Sequence, residues 1–172
     1  MARMRKFCSY RARDRPYTRI SSKRERSFIR MTHNTKIIRF QMGSATKQFD
    51  HTLNLVSKID LQIRDNAIES ARTTSNRVLE STLGQGNYFL RLRPYPHQVL
   101  RENPIASGAG ADRFSTGMKK SFGKPIGQAM RIKKGSIIFE VCVNENGLLT
   151  ARKALRQAAT KLPCSTSIIV AK

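Results

Sequence analysis

Charge is laid out along this chain in blocks, and the blocks limit how much of it can fold unaided. Residues 1–50 hold 14 basic and 3 acidic side chains, residues 51–87 hold 4 of each, residues 88–135 hold 10 and 2, and residues 136–172 hold 5 and 2. Two strongly basic blocks thus flank a neutral one, and the 172 residues together carry a formal net charge of +22. Self-repulsion at that density favours expansion unless a polyanion compensates it. Of the 33 cations 20 are Arg, whose planar fork pairs two phosphate oxygens and stacks on bases. Nucleic acid is therefore the expected partner. No basic amphipathic helix, no run approaching a membrane span and no secretory signal stands in the sequence, so no membrane partner and a cytoplasmic location are expected.

The first block cannot form a core. Between Met1 and Arg30 the cations Arg3, Arg5, Arg11, Arg13, Arg15, Arg19, Arg24, Arg26 and Arg30 alternate with Tyr10, Tyr17 and Phe28 in neither a two-residue nor a 3.6-residue period. Pro16 also discourages a helix at Arg15. The segment 1–35 reads as a basic extension that orders only on RNA, where phosphates neutralise the guanidinium groups and tyrosines stack on bases.

Residues 36–172 read as one domain. Lys36–Phe40 is an apolar-rich run closed by Gly43 and predicts a strand, and Thr52–Ile63, with Leu53, Leu55, Ile59, Leu61 and Ile63 on one parity, predicts another. The period then changes: Ile68, Ala71, Ser75, Val78, Leu79 and Thr82 predict a helix over 65–83, with Asn66 and Glu69 as a capping pair. Tyr88, Leu90 and Leu92 form the apolar face of a strand whose other face carries Arg91 and Arg93. A short extended piece at His97–Arg101 leads into a structureless loop over about 102–117, longer than ordinary connections. Ala129–Ile132 and Ser136–Val143 predict a strand pair turning at Lys134-Gly135. Leu148, Ala151, Leu155, Ala158, Ala159 and Leu162 then predict a second helix, and Ser167–Val170 a last strand. This order implies an α+β fold, a mainly antiparallel sheet with two helices packed on one side.

Catalytic and metal patterns are weak. In Gly117–Gly123 the glycines enclose five residues instead of four and Lys124 precedes Pro125, so the Walker pattern fails. His97 has no nucleophile beside it and only Glu102 and Asp112 nearby, which leaves an RNA-modifying or phosphate-hydrolysing enzyme built on the Gly-rich tract and His97 as the alternative reading. A DNA-compacting protein lacks a groove-reading helix. Cys8, Cys142 and Cys164 are too widely spaced for a zinc site and read as reduced, small apolar residues. No catalytic residue, metal or cofactor is expected.

The tract Arg93-Pro94-Tyr95-Pro96-His97-Gln98-Val99-Leu100-Arg101-Glu102-Asn103, followed by Gly108-Ala109-Gly110-Ala111-Asp112-Arg113 and Ser121-Phe122-Gly123-Lys124-Pro125, closely resembles the large-subunit ribosomal protein family numbered sixteen in bacteria and ten-e in archaea and eukaryotes, in its archaeal form. Tyr10–Arg19, Lys36–Gly43, the helix from Ile63 and Ala154–Pro163 match further family segments. The sequence departs from that pattern at Pro104-Ile105, where relatives carry Lys-Met, and across Arg30–Thr35. It also lacks, after Val170, the extension of eukaryotic members. The resemblance implies a hammerhead-type α+β domain on large-subunit rRNA near the peptidyl-transferase region. It also implies that the long loop approaches the tRNA acceptor stems, with neighbouring large-subunit proteins as further partners and no homo-oligomer. Joined to the charge blocks, it makes Arg3, Arg5, Arg11, Arg13, Arg15, Tyr17, Arg19, Arg24, Arg26, Arg91, Arg93, His97, Lys119, Lys120, Lys124 and Arg131 the candidate rRNA contacts. Arg101, Asn103, Ser107, Gly108, Gly110, Asp112 and Arg113 become the tRNA-proximal set.

Overall fold

Two antiparallel sheets share one corner in this chain, and that corner sets where everything else lies. The structure, a computed structural model, describes residues 4–12, 23, 25, 35–103, 105–106, 108–115, 117–120 and 123–171. Its strands are β1 (Gln41–Gly43), β2 (His51–Ser57), β3 (Leu61–Arg64), β4 (Tyr88–Leu92), β5 (Gln98–Glu102), β6 (Lys124–Ile132), β7 (Ile137–Val143) and β8 (Thr166–Ala171), and its helices α1 (Asp65–Leu83), α2 (Ala111–Phe114) and α3 (Leu148–Thr160). The larger sheet has the order β1-β4-β7-β2-β8 and the smaller one β3-β6-β5. Every described pairing is antiparallel. The α+β class holds, with the refinement that the sheet is divided.

The division corrects two expectations. Thr52–Ile63 is not one strand: β2 ends at Ser57, a turn intervenes, and β3 continues in the smaller sheet. Likewise β6 and β7 do not pair with each other across Lys134-Gly135, because β6 lies on β3 and β7 on β2. The physical reason is that two long, mutually antiparallel segments bend together. Ser57 donates its amide to Ser136 O at 3.1 Å, Gly135 donates to Ser57 O at 2.8 Å, and the Lys134 amide donates to Asp60 Oδ1. Gly135 supplies the left-handed backbone the bend needs, with φ of 81°. A third expectation also shifts. Lys36–Phe40 is irregular chain preceding β1, with Ile37 buried and Ile38 84% exposed.

The core lies between the larger sheet and the helix pair. Leu53, Leu55, Tyr88, Leu90, Phe139, Val141 and Val143 point from the strands toward Ile68, Ala71 and Leu79 of α1 and Ala151, Ala154, Leu155 and Ala158 of α3. The small residues in that set, Ala71 and the alanines of α3, let the two helices pack side by side. The Tyr88 hydroxyl donates to Asn76 Oδ1 at 2.8 Å and ties β4 to α1. Helix α1 runs over Asp65–Leu83 as read from the period, but Asn66 and Glu69 do not cap it. Arg64 holds the N-cap position, Asp65 Oδ1 takes the Asn66 amide at 2.8 Å, and Glu69 pairs with Arg72 instead.

The opening of the chain is not wholly free of this fold. Residues 7–10 form a 3₁₀ turn, and Tyr10 is buried with Leu100 and Ala129 beneath Met4 and Ile126 on the smaller sheet. For residues 4–12, therefore, ordering does not await RNA. Tyr10 is the buried anchor, and the half-buried Phe7 packs against the main core beside it.

Candidate nucleic-acid interface

Glu102, the last residue of β5, gathers the nearest basic residues into one place. Its carboxylate takes a hydrogen bond from the Tyr10 hydroxyl, and its Oε2 accepts from Arg5 Nε at 2.9 Å. The Tyr10 hydroxyl in turn accepts the Arg5 amide at 3.1 Å, and Arg64 Nη1 donates to Arg5 O at 3.1 Å. Burial foremost, and then the Glu102 carboxylate, push the Tyr10 phenol above its ordinary pKa, so the hydroxyl stays a donor. Gln62 fastens the far end of the segment: its amide donates to Arg11 O at 3.3 Å and its Nε2 to Tyr10 O at 3.2 Å. Arg101 precedes Glu102 on β5, and Lys124 stands opposite it in the register of β6. One carboxylate thus pairs with Arg5 and joins the basic extension to the root of the long loop.

The return of the loop is equally tight. A Cβ on Gly123 would meet Arg101 Cβ and the Glu102 backbone at 3.0 Å, so glycine is what allows the chain to come back against β5. Between these points the loop is not structureless. Gly110 has φ of 74° and opens α2, Arg113 donates its amide to Gly110 O at 3.1 Å, and Gly117–Lys120 form a 3₁₀ turn. What the loop displays is unusual for a protein surface. Phe114 is 86% exposed, Met118 70% and Ile105 46%, beside exposed Arg113 and Lys119. Gly108, Gly110 and Asp112 are exposed on the same loop, and Asn103 is half-buried at its start. Lys120 belongs to the 117–120 turn, and Ser107 lies outside the described residues.

The remaining candidates divide between the two sheets. Arg131 on β6 is half-buried opposite Gln62, while Arg5 and Arg11 on the docked segment are exposed. Arg91 is exposed on the solvent face of the larger sheet, in register with Gln41 and Glu140. Arg93 follows β4 and places Nη1 3.3 Å from Glu140 Oε2. His97 is exposed in a turn where its amide donates to Tyr95 O at 2.9 Å. Arg3, Arg13, Arg15, Tyr17, Arg19, Arg24 and Arg26 lie outside the described residues.

Sequence reasoning missed an aromatic platform. Tyr95 is 61% exposed and stacks on Phe40, with ring centroids 5.5 Å apart and planes 21° from parallel. Arg39, Arg93 and His97, all exposed, are its neighbours in the chain. The signal was present in Pro94-Tyr95-Pro96, where two prolines restrict the backbone around an aromatic in a basic tract. Exposed ring faces beside cations suit stacked bases and phosphates better than any acid–base step. Among the described residues there is no group of three His, Cys, Asp or Glu side chains placed to hold a metal ion, and no helix long and apolar enough to cross a membrane.

Comparison with known proteins bears on what such a surface meets. The family model described as "Ribosomal protein L16p/L10e" matches residues 16–169. A protein of Staphylothermus marinus named "Large ribosomal subunit protein uL16" is 46% identical over 154 residues, covering 90% of this chain and 85% of that one. Proteins of the same name from Archaeoglobus fulgidus and Picrophilus torridus are 43% and 42% identical, over 95% and 92% of this chain and 90% and 91% of theirs.

Proposed function

Because this chain belongs to the ribosomal protein L16p/L10e family, we propose that it is a non-enzymatic structural constituent of the large ribosomal subunit, held by large-subunit rRNA near the peptidyl-transferase region. In this reading the extension 1–35 and the exposed cations of β4, of the turn at His97 and of the smaller sheet contact rRNA. The 102–117 loop approaches the acceptor stems of aminoacyl- and peptidyl-tRNA. Neighbouring large-subunit proteins are further partners, and the protein acts as a single copy.

The observation that carries the proposal is the loop's display of Phe114 and Met118, 86% and 70% exposed, next to exposed Arg113 and Lys119, on a root clamped through Glu102 to the extension. Apolar groups of that size left in water await a surface, and the cations beside them select one made of phosphates and bases. The glycines permit close backbone approach to such a surface.

Salt dependence tests the rRNA part. Each neutralised phosphate adds roughly −0.7 to −0.9 to the slope of log K against log salt. A slope steeper than about −3 on purified large-subunit rRNA is expected, and a shallower one refutes the reading. For the loop, Arg101→Ala and Arg113→Ala should impair peptide synthesis by reconstituted subunits more than incorporation of the protein. Variants that assemble and translate as the parent does would reject the assignment.

A further inference from the structure

The two long helices lie side by side, yet their solvent faces treat charge in opposite ways. On α1, Arg72 is paired with Glu69, and the Asn76 side-chain amide donates to Glu80 Oε2 at 3.2 Å. The glutamate first of all raises the pKa of the Arg72 guanidinium, as a committed partner does. Across Asp65–Leu83 three acidic residues (Asp65, Glu69 and Glu80) face two basic ones (Arg72 and Arg77). Helix α3 has no acidic residue at all. Its cations Arg152, Lys153 and Arg156 are exposed, and Lys161 just beyond it is exposed too. Among the described residues none of these four makes an ion pair.

Their spacing places them together. At about 100° per residue, Leu149, Arg152, Lys153 and Arg156 fall within roughly 100° of arc, opposite the buried stripe of Ala151, Ala154, Leu155 and Ala158. Leu149, at the head of this stripe, is 81% exposed. Like charges three and four residues apart destabilise a helix, so the arrangement costs the free protein something and is relieved only by an anion. A regular row of cations one helical turn apart, with no fixed carboxylate to compete, is complementary to a row of phosphates.

We propose that the outward face of α3, formed by Leu149, Arg152, Lys153 and Arg156 with Lys161 at its end, is a further RNA-binding surface that grips a phosphate backbone, separate from the smaller sheet and the 102–117 loop. The inference rests on the rRNA reading above and extends it: a chain with RNA on the loop side and RNA on its helix side is wedged between two segments. Gln is a good helix former and carries no charge, so a R152Q/K153Q/R156Q triple variant at exposed positions leaves the packed face of α3 unchanged.

The test is the salt dependence of binding of the full chain to purified large-subunit rRNA, with a circular dichroism melt to verify folding. Loss of three phosphate contacts should make the slope shallower by roughly 2 to 2.7, at 0.7 to 0.9 per contact. The charge-retaining R152K/R156K variant should keep the parent slope, and Arg77→Gln on α1 should change it by less than about 0.3, well under the 0.7 to 0.9 of one phosphate contact. A triple variant whose slope stays within about half a unit of a steep parent slope overturns the inference and leaves the rRNA reading standing. A parent slope shallower than about −3 overturns both. If the triple variant binds rRNA as the parent does but is no longer retained by subunits stripped of this protein, the face meets an acidic protein and the inference is again overturned.

Discussion

Tyr10 is the place where a single substitution should separate the docked segment from the rest of the fold. Its ring is 8% exposed, packed with Leu100 and Ala129, and its hydroxyl bridges Arg5 and Glu102. Truncating a buried aromatic costs roughly 3–5 kcal/mol in a full core, and a rim cluster of this size takes the lower end, about 3 kcal/mol. Because the segment 4–12 touches the domain through this cluster, the half-buried Phe7 and the bonds to Glu102, Gln62 and Arg64, the cost of Tyr10→Ala falls on docking and not on global unfolding. About 3 kcal/mol multiplies the open population by roughly 150, using 1.4 kcal/mol per factor of ten. The Gln62 amide reports that population, since its described acceptor is Arg11 O on the docked segment. Native-state hydrogen exchange should show Gln62 exchanging about a hundredfold faster while amides within α1 and α3 keep their protection. Tyr10→Phe keeps the ring and removes both bonds of the hydroxyl, the one to a carboxylate that retains Arg5 and the one from the Arg5 amide, so about 2 kcal/mol and a roughly thirtyfold effect are expected. If Tyr10→Ala accelerates Gln62 by less than about threefold, or accelerates the helices equally, the segment is not held in the way described.

Other consequences can be checked separately. Gly43→Ala should cost at least about 2 kcal/mol, since φ is 85° there and a Cβ would overlap the Tyr88 carbonyl oxygen; a thermal melt lowered by less than about 3 °C would contradict this. The Tyr10 phenol, raised by burial and then by Glu102, favours the docked state fully below the unfolded value near 10 and loses that contribution as pH climbs through the folded value. Ultraviolet titration of the parent against Tyr10→Phe should therefore show the missing phenol ionising above pH 10, and ionisation at the ordinary value would refute the buried bridge. Burial pushes the Cys142 and Cys164 thiols up, whereas Cys8 is exposed. Iodoacetamide at pH 8 should accordingly label Cys8 first, and equal labelling of the three thiols would argue against the half-buried placement of the other two.

Regular elements with a strong period could be read directly. The limits of α1 and the inward parity of Tyr88, Leu90 and Leu92 follow from local spacing, because one face of each element meets one core. The corner was not legible, since Leu53, Leu55, Ile59, Leu61 and Ile63 keep one parity straight through the bend at residues 58–60. Only the facing turn at Lys134-Gly135, distant in sequence, shows that both segments change sheets there. The docked segment was hidden for a similar reason: Tyr10 meets Glu102, 92 residues away, and no local pattern encodes that meeting. Gly123 was legible as part of a motif, but its need for close approach to Arg101 depends on the return path of the loop.

One strand has a bearing on how copies of this protein treat one another. Among the described residues β8 closes the larger sheet with β2 on one side only, and it shows Ile169 and Val170, 51% and 41% exposed. An unpaired border of this kind invites the same border of a second molecule. Mutual repulsion between two bodies of +22 opposes that encounter at low ionic strength. Electrostatics thus acts as a chaperone for the unassembled polypeptide, and screening it before the proper site is reached exposes the molecule to clumping.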